Sequence, residues 1–570
     1  MSKFKFLLLI SVLSLFIGCN QSNNGVDQIL HNGIIYTLNE SSPIVKAIAV
    51  ENGKIVETGA FDELKKMADD QTELVDLNGL FVYPGFIEGH GHIFGIGNNI
   101  LNVNLMGLES YKQVVEKVKE RAKVTPKGEW IVGRGWHQDK WISQPESMFQ
   151  GFPTHHQLSE AIPDHPVVLS HASGHASLIN AKAMEILGID KKNGNPEGGE
   201  IFKDISGNPT GILNETAQQL VASAFDQENP EEKKKALSLA IEECLKNGLT
   251  GFHQAGSIIA DINLIEDFAK NDLLKLRMHL MIAGYDSVTI QQQFEAGPRT
   301  GLYGDHLNIQ AIKLYADGAL GSRGAWLLDE YEDSPGVHGH NVTPINEIKT
   351  LVKKAYSYDF QVCTHAIGDR ANREVLNIYE EVLGDSIMSD HRYRIEHAQH
   401  IDPQDIPRFS QLGVYPAMQA IHMSSDRPWA IDRLGKERIE NGAYMWRELI
   451  DQGSKIVNGT DAPVEPVNPL ASFYASVSRK TLKGTPENGF EPSQKMTREE
   501  ALKSYTIWPA YGAFMEDKVG SIEPGKYADF TVLNKDIMTI SESEILETKV
   551  VKTIIGGKSV FENPNFVKTK

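Results

Sequence analysis

Pro84-Gly85-Phe86-Ile87-Glu88-Gly89-His90-Gly91-His92 is the stretch on which the reading of this chain turns. A short apolar run delivers two imidazoles separated by one residue. Residues two apart on a strand point to the same side, so His90 and His92 face one point at the strand's end. Neutral imidazoles that converge in this way make a metal site. A His-x-His pair alone is a weak signal; the same pair directly after an apolar strand is a much stronger one.

Working outward, three more segments bring chemistry to predicted strand ends. Gln361-Val362-Cys363-Thr364-His365 ends in His365, Arg394-Ile395-Glu396-His397 in His397, and Val457-Asn458-Gly459-Thr460-Asp461 in Asp461. Strand candidates are Leu80–Ile87, Leu249–His253, Leu276–Met281, Ile309–Tyr315, Phe360–His365, Tyr393–His397, Val414–Met418 and Lys455–Asp461. Eight apolar strands interleaved with helical segments predict an α/β protein with a (β/α)₈ barrel, whose catalytic face is the C-terminal end of the strands. Four histidines and one aspartate arriving there from four strands suit a divalent metal with a position left open for water.

The interval between the first two strands is far longer than one helix, which predicts an insertion over about residues 95–245, rich in Trp, His and Gly. Both chain ends read as short strands. Asn32-Gly33 and Asn52-Gly53 are hairpin signals near the start, and Gly556-Gly557 is a turn near the end. Residues 26–83 and 516–570 are therefore expected to form one small β domain, with the barrel over 84–515.

The motifs Ala316-Asp317-Gly318-Ala319-Leu320-Gly321-Ser322-Arg323, His365-Ala366-Ile367-Gly368-Asp369-Arg370-Ala371 and Arg394-Ile395-Glu396-His397-Ala398-Gln399, in this order, resemble the amidohydrolase superfamily. Within it they resemble the YtcJ-like branch, which includes N-substituted formamide deformylases. The resemblance runs from about residue 26 to the end. It implies a distorted barrel with a composite β-sandwich, and His90, His92, His365, His397 and Asp461 as metal ligands. It also implies a CO₂-modified lysine at Lys313, bridging two ions. A neutral amine is needed to capture CO₂, and burial near cations supplies it. An unmodified Lys313 paired with a carboxylate, and a single ion, is the alternative. His175, in Ser173-Gly174-His175-Ala176, resembles a motif that lines the substrate pocket. Asp317 and Arg323 are candidate substrate groups, as are Asp369 and Arg370; ion pairing is the competing role for all four. Two departures stand out: Glu88 where Asp is usual before the His-x-His pair, and Gln254 where Asp often follows His253.

The implied chemistry is hydrolysis of a C–N bond other than a peptide bond by metal-activated water, with Asp461 as the proton carrier and His397 or His175 beside the developing oxyanion. A linear amide or N-formyl compound is the expected substrate. Deamination, or opening of a cyclic amide, is the alternative within the superfamily. A catalytically dead exported binding lipoprotein is the alternative of another class. Zinc is the expected ion, although His and carboxylate ligands also accept Mn, Fe or Co.

A formal net charge of -19 argues against nucleic acid as a partner, because phosphate binding needs a cationic surface. Three cysteines are too few for a disulfide framework. Cys244 and Cys363 are expected as buried thiols, a bridge between them being the alternative. At the N-terminus Lys3 and Lys5 precede an apolar run from Phe6 to Ile17, which fits a signal peptide over 1–18 and is too short to cross a bilayer. Phe16-Ile17-Gly18-Cys19 resembles a bacterial lipobox. This predicts lipidation at Cys19, a linker over 19–25, and an exported protein anchored to a membrane, either the outer membrane or facing the periplasm. Asn20 after the cysteine favours the outer membrane. The sequence leaves oligomeric state open, a homodimer included.

Overall fold

The computed structural model describes residues 25–172, 176–196, 199–222, 230–321, 323–386 and 389–566. The expected signal peptide, Cys19 and His175 lie outside these residues. Among them, no helix is long and apolar enough to cross a membrane.

Eight parallel strands form the nearly closed central barrel. In sheet order they are Phe86–Gly91, Leu249–Ser257, Arg277–Ala283, Leu307–Tyr315, Gln361–Ala366, Arg394–His397, Tyr415–Met418 and Val457–Asn458. Spatial order follows chain order, as right-handed β-helix-β crossovers produce. The strands read as near-continuous apolar runs because both faces are covered: every residue of Arg277–Ala283 is buried. Leu280, Ile282, Ile309, Val362 and Ile395 belong to the main apolar core, which the outer helices share.

Closure between the first and last strands is made by backbone bonds at their catalytic ends. Asp461 N donates to His90 O at 2.9 Å and His92 N donates to Ala462 O at 2.7 Å. This approach needs glycine. A Cβ on Gly459 would lie 2.4 Å from Glu88 Oε1 and 2.7 Å from His90 N, and one on Gly89 would lie 2.4 Å from Asn458 O. The expected strand Lys455–Asp461 is reduced to Val457–Asn458, because the chain turns into a left-handed conformation at Asp461, φ 55°.

The expected strand Leu80–Ile87 proves to be two strands in two sheets. Phe81–Pro84 belongs to the sheet built from the chain ends, and Phe86–Gly91 to the barrel. Pro84 has no N–H to donate, and Gly85 N turns to Asp529 O at 2.9 Å. The terminal sheet has eight strands. Its path runs Lys558–Glu562, Val550–Ile555, Phe530–Leu533, Phe81–Pro84, Gln28–Tyr36, Ile44–Glu51 and Lys54–Gly59, with Glu73–Asp76 also on Gln28–Tyr36. Asn52-Gly53 makes the expected hairpin with both φ positive, 51° and 74°. Asn32-Gly33 does not. It is a bulge inside Gln28–Tyr36, where that strand changes partner from Glu73–Asp76 to Phe81–Pro84. A buried pair, Arg277 Nε to Asp529 Oδ2 at 2.6 Å, ties this sheet to the barrel.

The long interval after the first barrel strand contains a second sheet of six strands: Gly199–Lys203, Pro209–Glu215, Ala176–Ile179, Val167–His171, Ile131–Trp136 and Val103–Asn104, in spatial order. It has its own apolar cluster, with Trp136 buried and donating Nε1 to Leu169 O at 2.8 Å. Among the described residues, Cys244 and Cys363 are free, buried thiols and do not bridge each other.

Candidate metal centre

The strand ends bring their imidazoles and carboxylate to one place. His90, His397 and Asp461 each offer a ligand atom, all within 4.8 Å of one another. His92 Nε2 lies 3.2 Å from Asp461 Oδ1, and His90 Nε2 lies 3.5 Å from the same oxygen. The His365 ring stands 4.5 Å from that of His397, centroid to centroid. Among the described residues, His90 Nε2, His365 Nε2 and Asp461 Oδ1 are buried without a hydrogen-bond partner. Buried polar atoms left in that state are costly, and several of them aimed at a common point fit a cation.

The outer nitrogens explain which inner ones are available. His90 Nδ1 contacts Glu396 Oε2, His92 Nδ1 reaches Ala255 O at 3.0 Å, and His397 Nδ1 reaches Gln419 Oε1 at 2.8 Å. Each acceptor fixes a tautomer with the proton on Nδ1 and the lone pair on Nε2, facing inward. Charge is held down as well. Burial, then the Lys313 charge, lowers His90 to about 4 and His365 to about 3, and burial holds His397 well below the ordinary range. These rings are neutral near pH 7, the form that binds a metal. At Asp461 burial favours the protonated form, but the adjoining His92, His90 and His397 rings outweigh it and hold its pKa well below the usual carboxylate value.

Lys313 is 1% exposed on the fourth barrel strand. Burial lowers its pKa, against the raising influence of Glu396 and Asp461, and its Nζ sits 5.0 Å from the Tyr315 ring centroid. Asp317 is buried as a backbone clamp: it accepts from Ile367 N at 2.9 Å and from Gly368 N and Trp326 N at 2.8 Å. Its Oδ1 is 3.4 Å from His365 Nε2. Arg323 stands apart, paired with Asp333 at 2.7 Å on a partly exposed loop. Asp369 accepts from Leu328 N at 2.9 Å, and Arg370 covers the Trp326 ring at 4.7 Å.

Several functional groups were not legible in advance. Glu396 is fully buried between His90 and Arg394, whose Nε and Nη2 donate to it at 2.8 and 2.9 Å. Arg394 also reaches Gly89 O at 2.8 Å and His253 Nδ1 at 2.9 Å. A charged i, i+2 pair in a doubly buried strand was the available signal, since such charges persist only when paired. Gln419, which orients His397, carried no such signal. Both departures noted in the sequence have structural work. Glu88 accepts from Thr460 N at 2.5 Å and Thr460 Oγ1 at 3.1 Å, and burial raises it to about 8. Gln254 accepts from Ile93 N at 2.7 Å, at the start of the helix Ile93–Leu101 that follows His92.

Comparison with known proteins agrees with this geometry. The model of the amidohydrolase family matches residues 73–561. A putative amidohydrolase, YtcJ, from Bacillus subtilis (strain 168) is 34% identical over 540 residues, covering 94% of this chain and 99% of its own. An N-substituted formamide deformylase from Arthrobacter pascens is 26% identical over 551 residues, covering 94% and 98%. Among solved structures, a metal-dependent hydrolase from Pyrococcus horikoshii OT3 aligns with TM-score 0.73 at 26% identity, over 90% of this chain and 99% of its own.

Proposed function

The chain belongs to the amidohydrolase family, and from that premise we propose that it hydrolyses a linear amide or N-formyl compound, a C–N bond outside peptides, to a carboxylate and an amine. The observation that carries this reading is the set of inner atoms left unsatisfied among the described residues, His90 Nε2, His365 Nε2 and Asp461 Oδ1, at three separate barrel strand ends. With His92 and His397 they would hold a divalent ion, zinc being the ion suited to imidazole and carboxylate. Lys313 would join them as a carbamate: its burial favours the neutral amine that captures CO₂. A bound ion supplies Lewis acidity, which makes water nucleophilic near neutral pH and polarises the scissile carbonyl.

The remaining steps belong to the chain's own groups. The Asp461 carboxylate orients the attacking water and accepts its proton. The water oxygen bonds to the carbonyl carbon and the C–N bond breaks. Asp461 then returns the proton to the departing nitrogen. Glu396, Ala255 O and Gln419 keep His90, His92 and His397 in the ligating tautomer throughout.

The purified protein, stripped by chelator and reloaded with zinc, should hydrolyse members of a panel of N-formyl amines and simple amides only in the loaded state. Hydrolysis confined to cyclic ureides would replace the substrate class; a protein that binds ions but turns over nothing in any class would favour a binding role.

We also propose export and anchoring through Cys19, supported by Lys3, Lys5, the apolar run Phe6 to Ile17 and the lipobox-like Phe16-Ile17-Gly18-Cys19. Cys19→Ala should move the protein from the membrane to the soluble fraction; equal membrane recovery of variant and wild type would reject the anchor.

A further inference from the structure

Two tyrosine rings lead outward from the metal centre. Tyr315 ends the fourth barrel strand, Leu307–Tyr315, and is half-buried. Its ring stands 5.7 Å from that of His365, centroid to centroid, and Lys313 Nζ lies 5.0 Å from the same ring centre. The Tyr315 hydroxyl extends to the second barrel strand, where a Cβ on Gly256 would lie 3.3 Å from it. Gly256 follows Ala255, whose carbonyl holds His92. The phenol therefore crosses the mouth between the strand ends that serve His365 and His92. Tyr285 continues the row. Its ring is 6.1 Å from that of Tyr315. It stands two residues beyond the third barrel strand, Arg277–Ala283, and Gly284 N ties that turn to Lys313 O at 3.0 Å. Rings at the ends of three consecutive strands, His365, Tyr315 and Tyr285, thus run from the metal centre to solvent.

Exposure sets Tyr285 apart. It is 69% exposed, and no other Phe, Tyr or Trp among the described residues exceeds 42%. A ring left in water forgoes the apolar burial that stabilises the rest of the fold. Small-molecule pockets are walled mainly by apolar and aromatic side chains, with a few polar groups to orient the ligand. Here the metal cluster is the polar part, and Tyr315 and Tyr285 are the aromatic part that adjoins it. The two phenols meet at 53°, which leaves a corner between them. A third ring packs against such rings at about 4.5–7 Å from each centroid, face to one and edge to the other. A saturated ring of the same size has no π face or polarised edge, so it gains burial alone.

We propose that Tyr285, with Tyr315 behind it, is the specificity residue of the barrel mouth, and that this hydrolase prefers amides carrying an aromatic ring a short chain away from the scissile bond. The inference rests on the hydrolase reading above, which supplies the scissile amide. It adds the shape of the substrate's far end and the side chain that reads it.

The test uses the zinc-loaded full-length protein and two matched series of increasing chain length, N-formyl ω-phenylalkylamines and N-formyl ω-cyclohexylalkylamines. The members differ in flatness and π character at nearly equal apolar size. Wild type, Tyr285→Leu and Tyr285→Phe are compared, with thermal midpoints to show that the variants fold; both should melt with wild type, because the side chain is exposed. At the best chain length, wild-type kcat/KM should favour phenyl over cyclohexyl by about twofold to tenfold, the worth of an aromatic pair beyond its burial. Tyr285→Phe, which keeps the ring, should retain that ratio. Tyr285→Leu, which keeps apolar bulk and loses the ring, should bring it to unity. No wild-type preference for phenyl at any length, or a preference that survives in folded Tyr285→Leu, overturns the proposal. Calorimetric binding of the free ω-phenylalkylamines and ω-cyclohexylalkylamines separates the two readings. Phenyl-selective binding that needs the Tyr285 ring, without turnover of any formyl compound, would sink the hydrolase reading and keep the aromatic wall. Turnover of both series at equal rates would do the reverse. A wild type that neither hydrolyses nor binds the phenyl members in preference would also overturn the wall.

Discussion

Replacing Glu396 by Gln isolates the group on which the histidine cluster leans. The side chain keeps its shape and loses its charge. Arg394 then faces a neutral amide through the two contacts of 2.8 and 2.9 Å, and the amide can offer His90 Nδ1 a neutral acceptor at best. Both Glu396 and Arg394 are fully buried, so the guanidinium is left uncompensated in a low dielectric. Breaking such a pair from one side costs about 3–5 kcal/mol. The loss of a carboxylate behind a ligating imidazole weakens metal binding by about tenfold to a hundredfold, or ~1.4–2.7 kcal/mol. Two assays read these effects separately: urea unfolding of the metal-free protein, and competition for zinc against a chelator. Acid adds a third. Burial raises the Glu396 pKa, but the charges of Arg394 and His90 outweigh it and hold the folded value below the ordinary 4.5. A depressed folded value means that the contribution is full above 4.5 and is lost as pH falls below it. The gap between metal-free wild type and Glu396→Gln should therefore narrow in acid and be constant from pH 6 upward. A variant with wild-type stability and wild-type zinc affinity would refute the reasoning.

Other substitutions probe neighbouring links. Asp461→Asn should leave the fold intact and lower kcat by about 10²–10⁴, the range for a lost proton carrier, in a full progress-curve comparison; a drop under tenfold would remove Asp461 from that role. Lys313→Met should lose zinc stoichiometry, and wild type incubated with isotope-labelled bicarbonate should show a carbamate signal that the variant lacks. If the wild type shows no such signal, Lys313 works as an unmodified amine. Gly459→Ala places a Cβ 2.4 Å from Glu88 Oε1 and 2.7 Å from His90 N, so closure should loosen, with about 1–3 kcal/mol lost in thermal unfolding. A stability equal to wild type would show that the barrel seam yields at no cost.

Much of the barrel was legible because its signals are local and periodic. Each of the eight expected strand regions overlaps a barrel strand, and His90 and His92 converge because a strand repeats every two residues. What the pattern hid has physical causes. Strict alternation would set Glu396 and His397 on opposite faces. The chain instead turns left-handed at His397, φ 75°, so His397 joins the cluster while Glu396 stands behind His90. Asp461 is displayed the same way, at φ 55°. Neither position is glycine, so no residue type announced the turn, and left-handed non-glycine backbone gathers at functional sites. Asn32-Gly33 misled because a bulge and a hairpin demand the same positive φ.

The central claim is that one ion gathers these distant side chains. Anomalous diffraction from crystals of the zinc-loaded protein, collected on either side of the zinc edge, tests it most directly. The account predicts an anomalous peak within coordination distance of His90 and His92 Nε2, with His365, His397 and Asp461 around the same centre. A peak elsewhere in the molecule, or none in protein saturated with zinc, would contradict it.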